Sequence, residues 1–174
     1  MMITNQNQTN FQGNLLKKGL NLPSQKFREV AQLYAARTEG KPDLKLVGHT
    51  ENSDFDGKFY HSVIVYRGKE DIADIFTSDI KDMFKKLSPK KLANELVNLS
   101  KRAEADDEIA ELRKKINETQ GRLNSVRSKL KQNQPDEVAK NLQVIAQRME
   151  ESIAGNKKRI EKVKKPSVSN AWII

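Results

Sequence analysis

The chain contains no cysteine. Disulfide frameworks, thiolate metal sites and cysteine nucleophiles are therefore excluded. Aromatic residues are scarce, at 6% of 174 positions, and hydrophobic residues reach 36% against 32% charged. So little core material supports one small packed core and long exposed helices better than one large globule. No apolar run approaches the roughly 20 residues that span a bilayer. The opening "MMITNQNQTNFQGN" is rich in amides and lacks the apolar stretch of a secretory signal. These absences lead to the expectation of a cytoplasmic protein without a membrane span.

Sequence signatures of catalysis are missing too. There is no G-x-x-x-x-G-K-S/T, no G-x-G-x-x-G and no G-x-S-x-G. Carboxylate pairs such as Asp106-Asp107 lie in a charged helical run with no apolar pocket in view to raise a pKa. The sequence points away from an enzyme, and no catalytic residue, cofactor or metal ligand is assigned.

What is present is basic charge, formally +9. It is spread along the chain. Residues 1–40 carry five basic and two acidic groups, 41–88 eight and nine, 89–134 eleven and seven, and 135–174 eight and five. Such a balance suits nucleic acid, anionic lipid or an acidic protein, with no segment dominating.

Local patterns divide the chain into four parts. Residues 1–9 read as a disordered lead, and residues 10–88 as a small α+β domain. Phe11, Gly13 and Leu15 alternate with polar residues and permit a short strand. "LPSQKFREVAQLYAART" reads as a helix capped by Ser24, with Phe27, Val30, Ala31 and Tyr34 on one face. "DLKLVGHT" and "KFYHSVIVYR" read as two strands, and Asp56-Gly57 between them is the signal of a tight hairpin turn. With those two residues as the loop, Val63 faces Thr50 and Val65 faces Gly48. Leu44, Leu46, Phe59, Val63 and Val65 then share one face. Beyond Gly68, the spacing of Ile72, Ile75, Ile80, Met83, Phe84 and Leu87 predicts one or two short helices.

Ser88-Pro89 is a cap followed by proline at the first helical position. Residues 89–165 then read as an antiparallel helical hairpin folded back at "NQP", 133–135. Ile109, Leu112, Ile116, Leu123, Val126 and Leu130 give one heptad seam. Val138, Leu142, Ile145, Met149, Ile153, Ile160 and Val163 give the other. The fold-back sets the acidic run 104–111 opposite the basic run 157–165. It also sets Glu150 near Glu118, a like-charge conflict. The earlier set Leu92, Leu96, Leu99 and Ala103 is out of phase with Ile109. The first long helix is therefore expected to leave the N-terminal core there. Residues 166–174 form a tail with an apolar end.

Four features are candidate sites. Asn52, Asp54, Asp56 and Gly57 mimic half a calcium loop, but the twelfth place, which needs a bidentate glutamate, is Val63. A plain turn is the better reading. His49 and His61 project from opposite faces of the hairpin, so one zinc ion cannot take both. Lys157, Lys158, Arg159, Lys162, Lys164 and Lys165 could bind phosphate or simply pair within the hairpin; no aromatic residue interleaves them for base stacking. Trp172, Ile173 and Ile174 follow a proline-led polar linker and could dock on a partner or fold back on the chain.

The expected architecture is α+β, predominantly α: a small N-terminal unit with a β-hairpin and short helices, then a long antiparallel helical hairpin, a coiled coil. The expected role is non-enzymatic protein–protein interaction or scaffolding through the coiled-coil stalk and apolar tail, with a homodimer through the helices as one form. A basic nucleic-acid-associated accessory protein is the alternative.

Overall fold

A computed structural model describes residues 13–38, 41–52 and 59–168. The fold is α+β and predominantly α, with four strands and four helices among the described residues. The chain forms two compact units, residues 1–103 with 166–174, and residues 104–165.

The first unit begins with a strand–helix–strand element. β1 (Leu15–Lys18) lies parallel to β2 (Leu44–Asn52), with Leu15 opposite Leu44, and α1 (Ser24–Ala35) makes the crossover that parallel strands require. α1 buries Phe27, Val30 and Tyr34. Ser24 does not cap it. Pro23 occupies the N-cap position with no side-chain bond, and its carbonyl accepts the Phe27 N–H at 2.9 Å.

β3 (Phe59–Arg67) pairs antiparallel with β2, and β4 (Glu70–Phe76) with β3, giving the order β1-β2-β3-β4. Val63 faces Gly48 and Val65 faces Leu46, two residues away from the register that a tight Asp56-Gly57 loop demands. The paired strands stop at Asn52 and Phe59, and Asp56-Gly57 lies outside the described residues. Because side chains alternate with period two, a shift of two leaves every residue on its expected face. Leu44, Leu46, Val63 and Val65 are fully buried, whereas Phe59, on the same face, lies beyond the core and is exposed.

β4 corrects the expectation of a helix directly after Gly68. Gly68 has φ +62°, no non-glycine residue among those described has positive φ, and the two residues Gly68-Lys69 join β3 to β4. Glycine first and an ordinary residue second is the order of a type II′ hairpin turn. Val65 pairs with Ala73 but Tyr66 with Asp71, so Ile72 is the extra residue of a bulge. It packs against the same core as Ile75. The bulge creates an inward spacing of three, which imitates a helix.

α2 (Thr77–Lys86) and the first part of α3 (Pro89–Leu130) complete the layer over the sheet. Ile80, Met83, Phe84, Leu92, Leu96 and Leu99 join Leu44, Leu46, Val63, Val65 and Ile75 in one core, where Phe84 stacks on Phe27 with ring centroids 6.1 Å apart. Ser88 caps α3, its hydroxyl accepting the Lys91 N–H at 3.4 Å. The chain re-enters this unit after the arm: Asn98 Nδ2 donates to the Ser167 carbonyl, and Val168 packs on the core.

The second unit contains the rest of α3 and most of α4 (Asp136–Lys162). Arg127 pairs with Glu150 at 2.7 Å, Arg159 with Glu108 at 2.6 Å, and Lys165 with Asp106. Positions that rise along α3 meet positions that fall beyond Gln134, so the helices run antiparallel. The acidic and basic runs oppose each other as expected, through different individual partners. Glu150, expected near Glu118, pairs with Arg127. Leu123, Ala146 and Ile153 form the buried cluster, flanked by Ile116, Val126 and Met149. Ala146 takes the place expected for Ile145, which is 41% exposed, and Val138 is likewise outside the seam.

Candidate functional site

A groove of about 770 Å³ lies at the end of the sheet that carries the tips of β2 and β3. Its formation follows from the strands being longer than the helical layer. Gly48, Thr50, Phe59 and His61 continue the core face of the β2–β3 pair beyond the last buried residue, Val63. Gly19 to Asn21 line one side, and Thr77, Ser78, Lys81, Asp82 and Lys85 of α2 the other. Gly19, with φ +68°, turns the chain out of β1 directly beside Gly48. A Cβ on Gly48 would sit 2.6 Å from the Gly19 carbonyl oxygen, so the close approach of the two glycines fixes this wall.

Polar and aromatic groups are mixed there. Thr50 Oγ1 and His61 Nδ1 share a hydrogen bond of 3.0 Å. Phe59 is 67% exposed, Tyr60 45% and Phe76 53%. Among the described lining residues the carboxylate is Asp82; it accepts a 2.7 Å hydrogen bond from Lys86 Nζ, and this bond with the charge behind it holds the carboxyl below its ordinary range. Asp82 raises Lys86 in return. Lys81 and Lys85 remain as cationic lining, and Lys26 Nζ reaches the Lys85 carbonyl at 3.4 Å. The groove can therefore receive flat apolar rings and negative charge together.

Comparison with known proteins finds no matching family model, no matching curated protein and no matching solved structure. The site is read from its own chemistry.

The residues singled out in the sequence are distributed differently. His49 pairs with Ser62 and His61 with Thr50 across β2 and β3, which places the two imidazoles on opposite faces. Among the described residues, no group of three or more histidine, aspartate or glutamate side chains is placed to hold a metal ion. Asp54, Asp56 and Gly57 of the calcium-like stretch lie outside the described residues, as do Trp172, Ile173 and Ile174. In the basic run, Arg159 and Lys165 are held by Glu108 and Asp106. Lys157, Lys158, Lys162 and Lys164 are exposed, and none of them has an ion pair among the described residues. No helix among the described residues is long and apolar enough to cross a membrane.

Sequence reasoning missed the groove because its parts come from four separate stretches. One signal was legible: Phe59-Tyr60 opens a strand and Phe76 closes one, where aromatic side chains have no further core to enter.

Proposed function

We propose that the protein is a non-enzymatic interaction protein that docks a protein partner through its helical arm and its C-terminal residues. The observation that carries this reading is the surface of α4. Val138, Val144 and Ile145 stand 42%, 49% and 41% exposed within eight positions of one helix, beside a buried cluster of only Leu123, Ala146 and Ile153. Val138 and Ile145, seven residues apart, occupy equivalent heptad places and widen the apolar stripe on the seam's flank. A wider stripe suits a bundle of more than two helices. A second copy of the chain is the simplest partner for it. Trp172, Ile173 and Ile174 supply a second apolar element, following within a few residues of Val168. Cytoplasmic location belongs to the same proposal and accords with a cysteine-free chain.

Sedimentation equilibrium of the full chain tests the arm. The double variant Val138→Asp/Ile145→Asp is expected to reduce the assembly to the monomer mass at salt concentrations that leave the native chain associated. A native chain that is already monomeric would sink the self-association form. Deleting Trp172–Ile174 is expected to abolish salt-insensitive capture of a purified protein partner, and unchanged capture would remove the tail from the reading.

A second reading rests on Lys157, Lys158, Lys162 and Lys164, whose charges are not used within the arm. Phosphate contacts by these residues would be released steeply by salt. Retention on heparin that survives moderate salt and is lost in the quadruple alanine variant would favour it.

A further inference from the structure

We propose that the groove at the end of the sheet binds single-stranded nucleic acid, with Phe59 and Phe76 stacking on bases and Lys81 and Lys85 meeting phosphates. The site is separate from both surfaces of the proposed function.

Among the described residues the strongly exposed aromatics are Phe59, Tyr60 and Phe76, and all three line this one groove. Phe27, Tyr34 and Phe84 show that the same unit buries its rings where a core exists. Phe76 sits opposite Ser62, two residues along β3 from Tyr60, so those two rings are close diagonal neighbours at the sheet edge. Phe59 lies on the opposite face of β3 from Tyr60, and both residues line the groove. The exposed rings of Phe59 and Phe76 offer π-faces on which a base can stack.

Charge selects among flat ligands. Lys86 engages the lining carboxylate Asp82, and Lys81, Lys85 and the neighbouring Lys26 keep the wall cationic. A repeating ligand with planar rings and one negative charge per unit matches both features. An acidic peptide would meet the lysines but leave the rings unmatched. A duplex hides its base faces in the stack, so the expected form is single-stranded. The volume, about 770 Å³, lies in the range of roughly 300–1,000 Å³ typical of small-ligand clefts, and the groove is open to solvent.

Fluorescence anisotropy of the full chain with a fluorescein-labelled oligothymidylate tests the proposal. Phe59→Ala and Phe76→Ala are each expected to weaken binding roughly fivefold or more. Lys81→Glu/Lys85→Glu is expected to weaken it and flatten its salt dependence. All four side chains are exposed, and circular dichroism checks that the variants fold. Independently of any variant, addition of the oligonucleotide is expected to shift the amide resonances of Gly48, Thr50 and Ser78. Absence of binding overturns the proposal. So does binding lost only in the Lys157/Lys158/Lys162/Lys164 alanine variant, or equal competition by polyglutamate or duplex DNA.

Discussion

Single residues set the geometry of the sheet end, and glycine shows it most directly. Gly48 lies where a side chain would meet backbone: its Cβ would fall 2.6 Å from the Gly19 carbonyl oxygen and 3.1 Å from the Gly19 carbonyl carbon. Backbone atoms of a turn fixed by positive φ cannot retreat as the end of a long side chain can. Gly48→Ala is expected to destabilise the first unit by about 1–3 kcal/mol, measured by urea unfolding. Gly155 is the opposite case, in the middle of α4 with nothing within 4 Å of its virtual Cβ. There alanine removes only backbone freedom of the unfolded chain, and Gly155→Ala is expected to stabilise the arm by about 0.5–1 kcal/mol. The Asp82–Lys86 pair gives a residue-scale dependence on pH. Lys86 depresses the Asp82 pKa, so the pair's contribution is present above the ordinary carboxylate value and fades as pH falls through the depressed one. Lys86 is raised, so its share is present below the ordinary ammonium value and fades as pH rises through the raised one. Both groups are on the surface, and the effect belongs in a titration rather than in a melting curve. In Lys86→Ala, the Asp82 carboxyl resonance is expected to titrate at higher pH than in the native chain. An unchanged midpoint would separate the groove's charge from this pair.

At the scale of elements, the seam of the arm decides between two readings of the same heptads. Leu123 is 2% exposed and Ile145 41%. Leu123→Ala is expected to cost about 2–4 kcal/mol, because it empties a site in the middle of the small buried cluster. Ile145→Ala is expected to change stability by no more than about 0.5 kcal/mol in the monomer. Equal losses would restore the seam that puts Ile145 inside. The sequence alone favoured Ile145 because hydrophobicity outweighs alanine in any periodic count. What it could not display is that a small residue at 146 keeps the same three–four rhythm from Leu142 to Met149. The same kind of error hid β4. Ile72 and Ile75 are three apart, a helical spacing, and only a bulge beside Tyr66 lets a strand turn both inward. The β2–β3 pair was legible despite a register error of two, since burial depends on the parity of the pairing and the loop on its absolute position. The aromatic ends of β3 and β4 were visible as residues, but their convergence on α2 depends on where the strands outrun the helices, and no local pattern carries that.

For the whole molecule, the division between the two compact units falls after Ala103, inside α3, and not at the Ser88-Pro89 boundary expected from the sequence. It is written in the phase slip between Leu99 and Ile109, where one helix changes the face it buries. Leu92, Leu96 and Leu99 belong to the sheet's core, and Leu112 and Leu123 are buried in the arm. The two units are very unequally held. The first has a continuous core of strand and helix side chains, many of them fully buried. The second encloses Leu123, Ala146 and Ile153 in its cluster, and its ion pairs are solvent-exposed ones worth at most about 1 kcal/mol each. Opening free energies follow the apolar area that each opening exposes. Native-state hydrogen exchange is therefore expected to divide by unit. Amides of α4 should exchange through openings of lower free energy than amides of Leu46, Val63 and Val65, with α3 changing from slow to fast exchange past Ala103. Addition of urea should lower the α4 values first, with a small slope, and the sheet values later, with a larger one. A single opening energy shared by α4 and β3 would mean that the arm unfolds only with the core. The exposed stripe of Val138 and Ile145 would then belong to a helix pair that does not open by itself to repack with a second copy.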